Sequence, residues 1–338
     1  MKYHLLGRTG LYVSEICLGT MTYGGKGFWE VVGQMGQQEV NDHVKLAFEA
    51  GVNFFDTANI YSFGESETLF GQALKDTGLN RDELVIATKV RGRMGPGPNN
   101  VGLSRKHILS QLDQSLSRLG LEYIDLYQIH GVDPLTPLEE TLSALNDAVR
   151  AGKVRYLGVS NHAAWQIMKA QGISQQKGWS RFESIQAYYS IAGRDLEREL
   201  VPLAQDQNLG IMAWSPLAGG FLSGKFTRAG GPEEARRSKF DFPPVDKERA
   251  YDCVAAMQEI AAAKEVSVAQ IALAWVLHQP AMMSIIIGAK TRVQLEQNLK
   301  ATEISLSADE LAQLDAVSKL PAEYPGWMIG MQAGDRAL

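Results

Sequence analysis

Short apolar runs that close on a polar residue recur along the chain: NFFDTANIY at 53–61, LVIATK at 84–89, IDLYQIH at 124–130 and YLGVSN at 156–161. They are too short for helices and rich in Val, Ile, Tyr and Phe, so they read as buried strands. The same reading predicts eight strands, at 16–18, 53–55, 84–88, 124–128, 156–159, 184–188, 211–214 and 283–287. Helical patterns separate many of them, at 37–50, 65–74, 104–119, 137–151 and 163–171. Ser104 has capping chemistry and Pro137 suits a first helical position. Gly51, Gly120, Gly152 and Gly172 stand where helix ends favour a left-handed residue. Ahead of all this, Gly7-Arg8-Thr9-Gly10 between two apolar stretches signals a hairpin.

Parallel strands need helical crossovers, so eight strands alternating with helices predict a (β/α)8 TIM barrel. The fold class is α/β, one domain over 1–338, with an N-terminal β-hairpin cap and long loops on the C-terminal face. A doubly wound open sheet would show G-x-G-x-x-G after its first strand. Here the first strand runs into Gly19-Thr20-Met21-Thr22-Tyr23-Gly24, which does not fit. A barrel gathers the strand ends on one face, and with them Asp56, Tyr61, Lys89, His130, Ser160 and Asn161. Acid, phenol, ammonium and imidazole together form a proton-transfer set, suited to carbonyl reduction. The long connections 90–102 and 215–245 fall on the same face and read as functional loops.

Composition narrows the setting. A net charge of −5 and a pI of 5.8 argue against a broad basic surface for nucleic acid or anionic lipid. No stretch approaches the ~18 apolar residues of a membrane span. The start, MKYHLLGRTG, has no secretory pattern, so a cytoplasmic protein is expected. Cys17 and Cys253, the only cysteines, read as reduced structural thiols. His4, His43, His107, His162 and His278 lack metal-ligand spacing, and no metal is expected.

The hairpin, NFFDTANIY, ATK, YQIH, LGVSN, AWSPLAGGFLSGK and IIIGAKTRVQLEQN follow one another as in a known family. The chain resembles an aldo-keto reductase over nearly its whole length, in the bacterial and channel-β-subunit-like branch. SPLAGGFLSGK and YPGW support that branch. The resemblance implies reduction of aldehydes or ketones to alcohols, or the reverse, with hydride from NADPH and without metal. It implies a catalytic tetrad of Asp56, Tyr61, Lys89 and His130. Tyr61 would be the acid, its pKa lowered by Lys89, with Asp56 holding Lys89 and His130 polarising the carbonyl.

For the cofactor, the resemblance places Ser160, Asn161 and Gln186 on the nicotinamide carboxamide and stacks Trp214 on the ring. Gly19, Thr20, Met21 and Asp56 complete that end. Ser215, Pro216, Leu217, Gly219, Gly224 and Lys225 would cover the diphosphate. Gly219 to Lys225 fits most of G-x-x-x-x-G-K, but Phe226 follows where a P-loop needs Ser or Thr. Ile287, Gly288, Lys290, Gln294, Gln297 and Asn298 would hold the adenosine end, with Lys290 and Arg292 as candidates for the 2′-phosphate. Gln294 stands where many NADP-dependent relatives carry Arg, which leaves NADH open; NADPH is the expected cofactor, with Lys290 as its main phosphate contact. Trp29 and Met94, with Tyr61 and His130, are expected to line the substrate pocket. Tyr324 and Trp327 are further wall candidates, and Arg91 and Arg93 could attract an anionic substrate. A redox-sensing regulatory protein of the channel-subunit type and a metal-dependent barrel hydrolase are the alternatives. The resemblance leaves a homo-oligomer open.

Overall fold

The computed structural model describes residues 1–334. Strands β1 (Tyr3–Leu5) and β2 (Tyr12–Ser14) pair antiparallel as a separate hairpin. The next eight strands are β3 (Ile16–Gly19), β4 (Phe54–Asp56), β5 (Val85–Val90), β6 (Ile124–Ile129), β7 (Val154–Ser160), β8 (Phe182–Tyr188), β9 (Gly210–Trp214) and β10 (Met282–Ile287). They follow one another around a closed barrel, every pair parallel, and β10 closes against β3. The chain is thus a (β/α)8 barrel with a hairpin cap. β5 and β6 are buried along their whole length, as expected of strands covered on both faces.

Helices α1 (Gln37–Glu49), α2 (Glu65–Thr77), α3 (Arg105–Leu119), α4 (Leu138–Arg150), α5 (Ala164–Lys177) and α6 (Leu196–Gln207) follow β3 to β8 in turn. Beyond β9 come α7 (Arg236–Lys239), α8 (Lys247–Lys264) and α9 (Val268–Leu277). After β10 lie α10 (Arg292–Leu299), α11 (Ala308–Ser318) and α12 (Gly326–Ala333). Among the described residues, no single helix is long and apolar enough to cross a membrane. The main core lies between strands and helices. A smaller cluster of Leu6, Val13, Cys17, Phe54, Val85, Leu126, Met212 and Met283 joins the hairpin to the barrel strands. Asn53 ties the cap to the barrel: its Oδ1 accepts from Ser14 N at 2.7 Å and its Nδ2 donates to Tyr12 O at 3.0 Å. Cys17 and Cys253 are both free and buried.

Two local expectations are corrected. Ser104 caps α3 as expected, accepting from His107 N, but Pro137 is the N-cap of α4 and the helix begins at Leu138. Gly172 does not end a helix. α5 runs on to Lys177, and the left-handed residue after it is Gly178, with φ 65°. Gln171 bonds both the N–H and the C=O of Phe182 in β8, which holds the helix in place through Gly172. That anchoring outweighs the ~1 kcal/mol a mid-helix glycine costs.

Candidate active site

The strand ends bring the candidate residues together. Asp56 ends β4, Lys89 lies one residue short of the end of β5, His130 follows β6 and Ser160 ends β7. Tyr61 arrives on a 3₁₀ turn after β4, in which Ser62 and Phe63 take left-handed φ of 47° and 54°. Lys89 Nζ, fully buried, donates to Asp56 Oδ2 at 2.5 Å, Thr57 O at 2.8 Å and Tyr61 Oη at 3.2 Å. Its three donors therefore have three acceptors. Asp56 Oδ1 accepts from Gln128 Nε2 at 2.8 Å and Gln186 Nε2 at 3.0 Å. The Tyr61 ring meets His130 edge to face at 5.8 Å and Trp29 at 5.4 Å.

Charge follows from this packing. Burial works to lower the Lys89 pKa, but the attraction of Asp56, then that of Tyr61, outweighs it, and the net shift is upward. Lys89 is an ammonium. Burial raises the Tyr61 pKa, and the downward pull of Lys89 does not cancel it. This corrects the expectation of a lowered phenol: Lys89 acts in the anticipated direction, yet desolvation is larger.

Burial, then Lys89 and Arg91, push His130 down from 6.5 to about 3. As pH falls, the unfolded chain therefore takes up that proton first. The stability held by neutral His130 is complete above 6.5 and is lost as pH falls toward about 3. His130 should keep neutral imidazole carbon shifts down to about pH 5 in an NMR titration. A midpoint near 6.5 would contradict this burial.

The cofactor candidates divide between free and engaged groups. Ser160 Oγ is buried without a partner. Gln186 donates to Asp56 and to Gln128 Oε1 at 3.1 Å. Asn161, at φ 55°, donates to His130 O and accepts from Trp214 Nε1. Trp214 has protein rings as neighbours, Tyr188 at 5.1 Å and tilted, Phe242 at 5.8 Å and stacked. Thr20 turns its hydroxyl to Ser66 and donates its N–H to Asp56 O, beside Gly19 and the half-exposed Met21.

Ser215 follows β9 at φ 54°, and its Oγ accepts from Gly219 N at 3.0 Å. Pro216 is buried and Leu217 half-buried behind it, and Lys225 is exposed. Gly219, Gly220 and Gly224 all have positive φ, and a Cβ on Gly219 would collide with the Phe242 carbonyl. Past β10, Ile287 is buried and Gly288 exposed, and Thr291 caps α10 through Gln294 N. Gln294 Oε1 accepts from Lys290 N, Asn298 is buried, and Gln297 is exposed with its C=O taken by Gln270. Arg292 is engaged with Glu296. Burial, then Arg236 and Lys239, lower the Lys290 pKa. Lys239 pairs with Glu234, whereas Lys290 and Arg236 have no carboxylate partner among the described residues, and Arg236 Nε is buried and unbonded.

The substrate candidates fare unequally. Trp29 reaches Tyr61, and Phe28, Phe240 and Phe242 continue the aromatic contacts to Trp214. Met94 is half-buried, with its N–H on Asn100 O. Tyr324 and Trp327 pack on each other at the exposed start of α12. Arg91 Nε bonds Val132 O, and Arg93 bonds Gly95 O and Gly97 O in its own loop. Sequence reasoning did not single out Gln128, Arg236 or Phe242. Gln128 had a visible signal, a polar residue inside a strand that is otherwise buried and apolar at its end.

The sequence profile described as "Aldo/keto reductase family" matches residues 15–319. Versiconal hemiacetal acetate reductase of Aspergillus parasiticus is 34% identical, over 96% of this chain and 99% of its own length. Oxidoreductase YrpG of Bacillus subtilis, of uncharacterised activity, is 38% identical, over 94% of this chain and 96% of its own. An Arabidopsis thaliana protein named "Probable voltage-gated potassium channel subunit beta" is 34% identical, over 90% and 92%. With a profile match and alignments running nearly end to end, the chain belongs to the aldo/keto reductase family, a family of oxidoreductases.

Proposed function

We propose that the protein is an NADPH-dependent reductase of aldehydes or ketones, with Tyr61 as proton donor. The observation that carries this reading is a buried ammonium, Lys89, held by Asp56 and 3.2 Å from the Tyr61 hydroxyl at the barrel's strand ends. Bound NADPH would supply the hydride to the carbonyl carbon. The negative charge left on the carbonyl oxygen needs a proton, and Tyr61, a phenol whose pKa burial raises further, carries one at neutral pH. Lys89 stabilises the phenolate that results, and Asp56 keeps Lys89 charged and in place. Neutral His130, edge-on to Tyr61, would donate a hydrogen bond to the same oxygen.

The residues fit the cofactor. An orphaned buried hydroxyl at Ser160 and amides at Asn161 and Gln186 suit a carboxamide. Lys290 and Arg236 are neighbouring cations without a carboxylate partner among the described residues, which suits a phosphate. Lys290→Ala should weaken NADPH binding about tenfold, as loss of a charged hydrogen bond does, and leave NADH within about twofold. Equal affinities of the wild type for NADPH and NADH in a fluorescence titration would sink the NADP preference. The relative named as a channel subunit motivates a second reading, a cofactor-sensing protein. Loss of NADPH absorbance with a panel of aldehydes and ketones separates the two: the reductase turns over, and the sensor holds cofactor tightly without turnover.

A further inference from the structure

Gln128 belongs to no step described above, yet it is fully buried beside Asp56. The directions of its bonds follow from chemistry. An ionised carboxylate only accepts, so Gln128 and Gln186 must both turn their NH₂ ends to Asp56 Oδ1. Gln128 then points its oxygen at Gln186 and accepts the second Gln186 N–H at 3.1 Å. Both hydrogens of the Gln186 amide are thereby used. Its oxygen is left, and no donor among the described residues reaches it. Across the β7–β8 register, the residue paired with Gln186 is Ser160, whose hydroxyl is buried and unpartnered.

We propose that Gln128 is a positioning residue for the cofactor: by taking the second N–H of Gln186, it makes Gln186 a pure acceptor toward the nicotinamide carboxamide. The proposal rests on the nicotinamide reading above. A carboxamide then has one way to pair, with its NH₂ on Gln186 Oε1 and its C=O on the Ser160 hydroxyl. With an apolar residue at 128, one Gln186 N–H still goes to Asp56, but the other becomes free. Gln186 can then present donor or acceptor, and the carboxamide loses its fixed sense.

The test is equilibrium binding, read by tryptophan fluorescence, of NADP⁺ and of its 3-acetylpyridine analogue, in which a methyl replaces the carboxamide NH₂. The wild type should bind the analogue about tenfold more weakly, because a buried acceptor loses its donor. In Gln128→Met, similar in length but without the amide, the ratio should fall to about twofold or less. Gln128→Glu, kept protonated by the Asp56 charge beside it, can donate its O–H to Asp56 Oδ1 and accept the Gln186 N–H on its other oxygen, and should restore the wild-type ratio. A wild-type ratio near one overturns the proposal without any variant, and so does an unchanged ratio in folded Gln128→Met. Failure of the wild type to bind NADP⁺ at all would instead overturn the cofactor reading, and this proposal with it.

Discussion

Replacing Tyr61 by Phe should lower kcat for carbonyl reduction about a thousandfold, within the 10²–10⁴ range that a positioned general acid contributes. The substitution removes one oxygen and no packing. The ring keeps its contacts with Trp29 and His130. Lys89 loses one of three acceptors but keeps Asp56 and Thr57 O. Fold and NADPH affinity should therefore be nearly unchanged, and the loss should fall on kcat with any one substrate. Absorbance at the reduced-nicotinamide band follows turnover, and fluorescence titration follows binding. Activity retained in Tyr61→Phe would mean that another group delivers the proton. Activity lost together with binding would mean that Tyr61 shapes the cofactor site instead.

Lys89→Met should give the largest loss of stability of any single change at the site, about 3–5 kcal/mol by analogy with other broken buried ion pairs. Lys89 is fully buried and Asp56 is 2% exposed, so the carboxylate cannot be rescued by water. Gln128 and Gln186 still donate to it, which places the loss toward the lower end. Asp56→Asn in the same chain removes the orphaned charge, so the double variant should recover more than half of the loss. Urea unfolding of the two single variants and the double variant measures this coupling. Additive losses would show that Asp56 and Lys89 do not act as a pair. Activity should stay near zero in Lys89→Met and in the double variant, because no ammonium remains in either to stabilise a phenolate.

The barrel was legible because parallel strands covered on both faces must be apolar throughout, and IDLYQIH and LVIATK show that pattern without any partner. Strand ends moved by a residue or two, since hydrogen-bond pairing rather than composition sets them. The convergence of Asp56, Tyr61 and Lys89 followed from topology alone. The direction of the Tyr61 shift did not, because it depends on depth of burial, and a sequence shows the neighbouring cation but not the missing water. Arg236 and Phe242 were hidden for another reason. They ride on the long loop after β9, whose path over the site is fixed by buried contacts, such as those from Arg237 to Ala218 O and Pro243 O at its base.

The barrel's seam has a consequence for how the chain is made. β3, near the N-terminus, is sealed by β10, and Ser284 Oγ and Ile285 N bond the carbonyls of Ser14 and Glu15. During synthesis seven barrel strands emerge before the eighth exists. Until residues 282–287 leave the ribosome, the free edges of β3 and β9 are open, with their apolar side chains uncovered. Such edges are templates for pairing with other chains. Nascent chains stalled short of β10 should therefore be the aggregation-prone species, and solubility should appear abruptly once that strand is out.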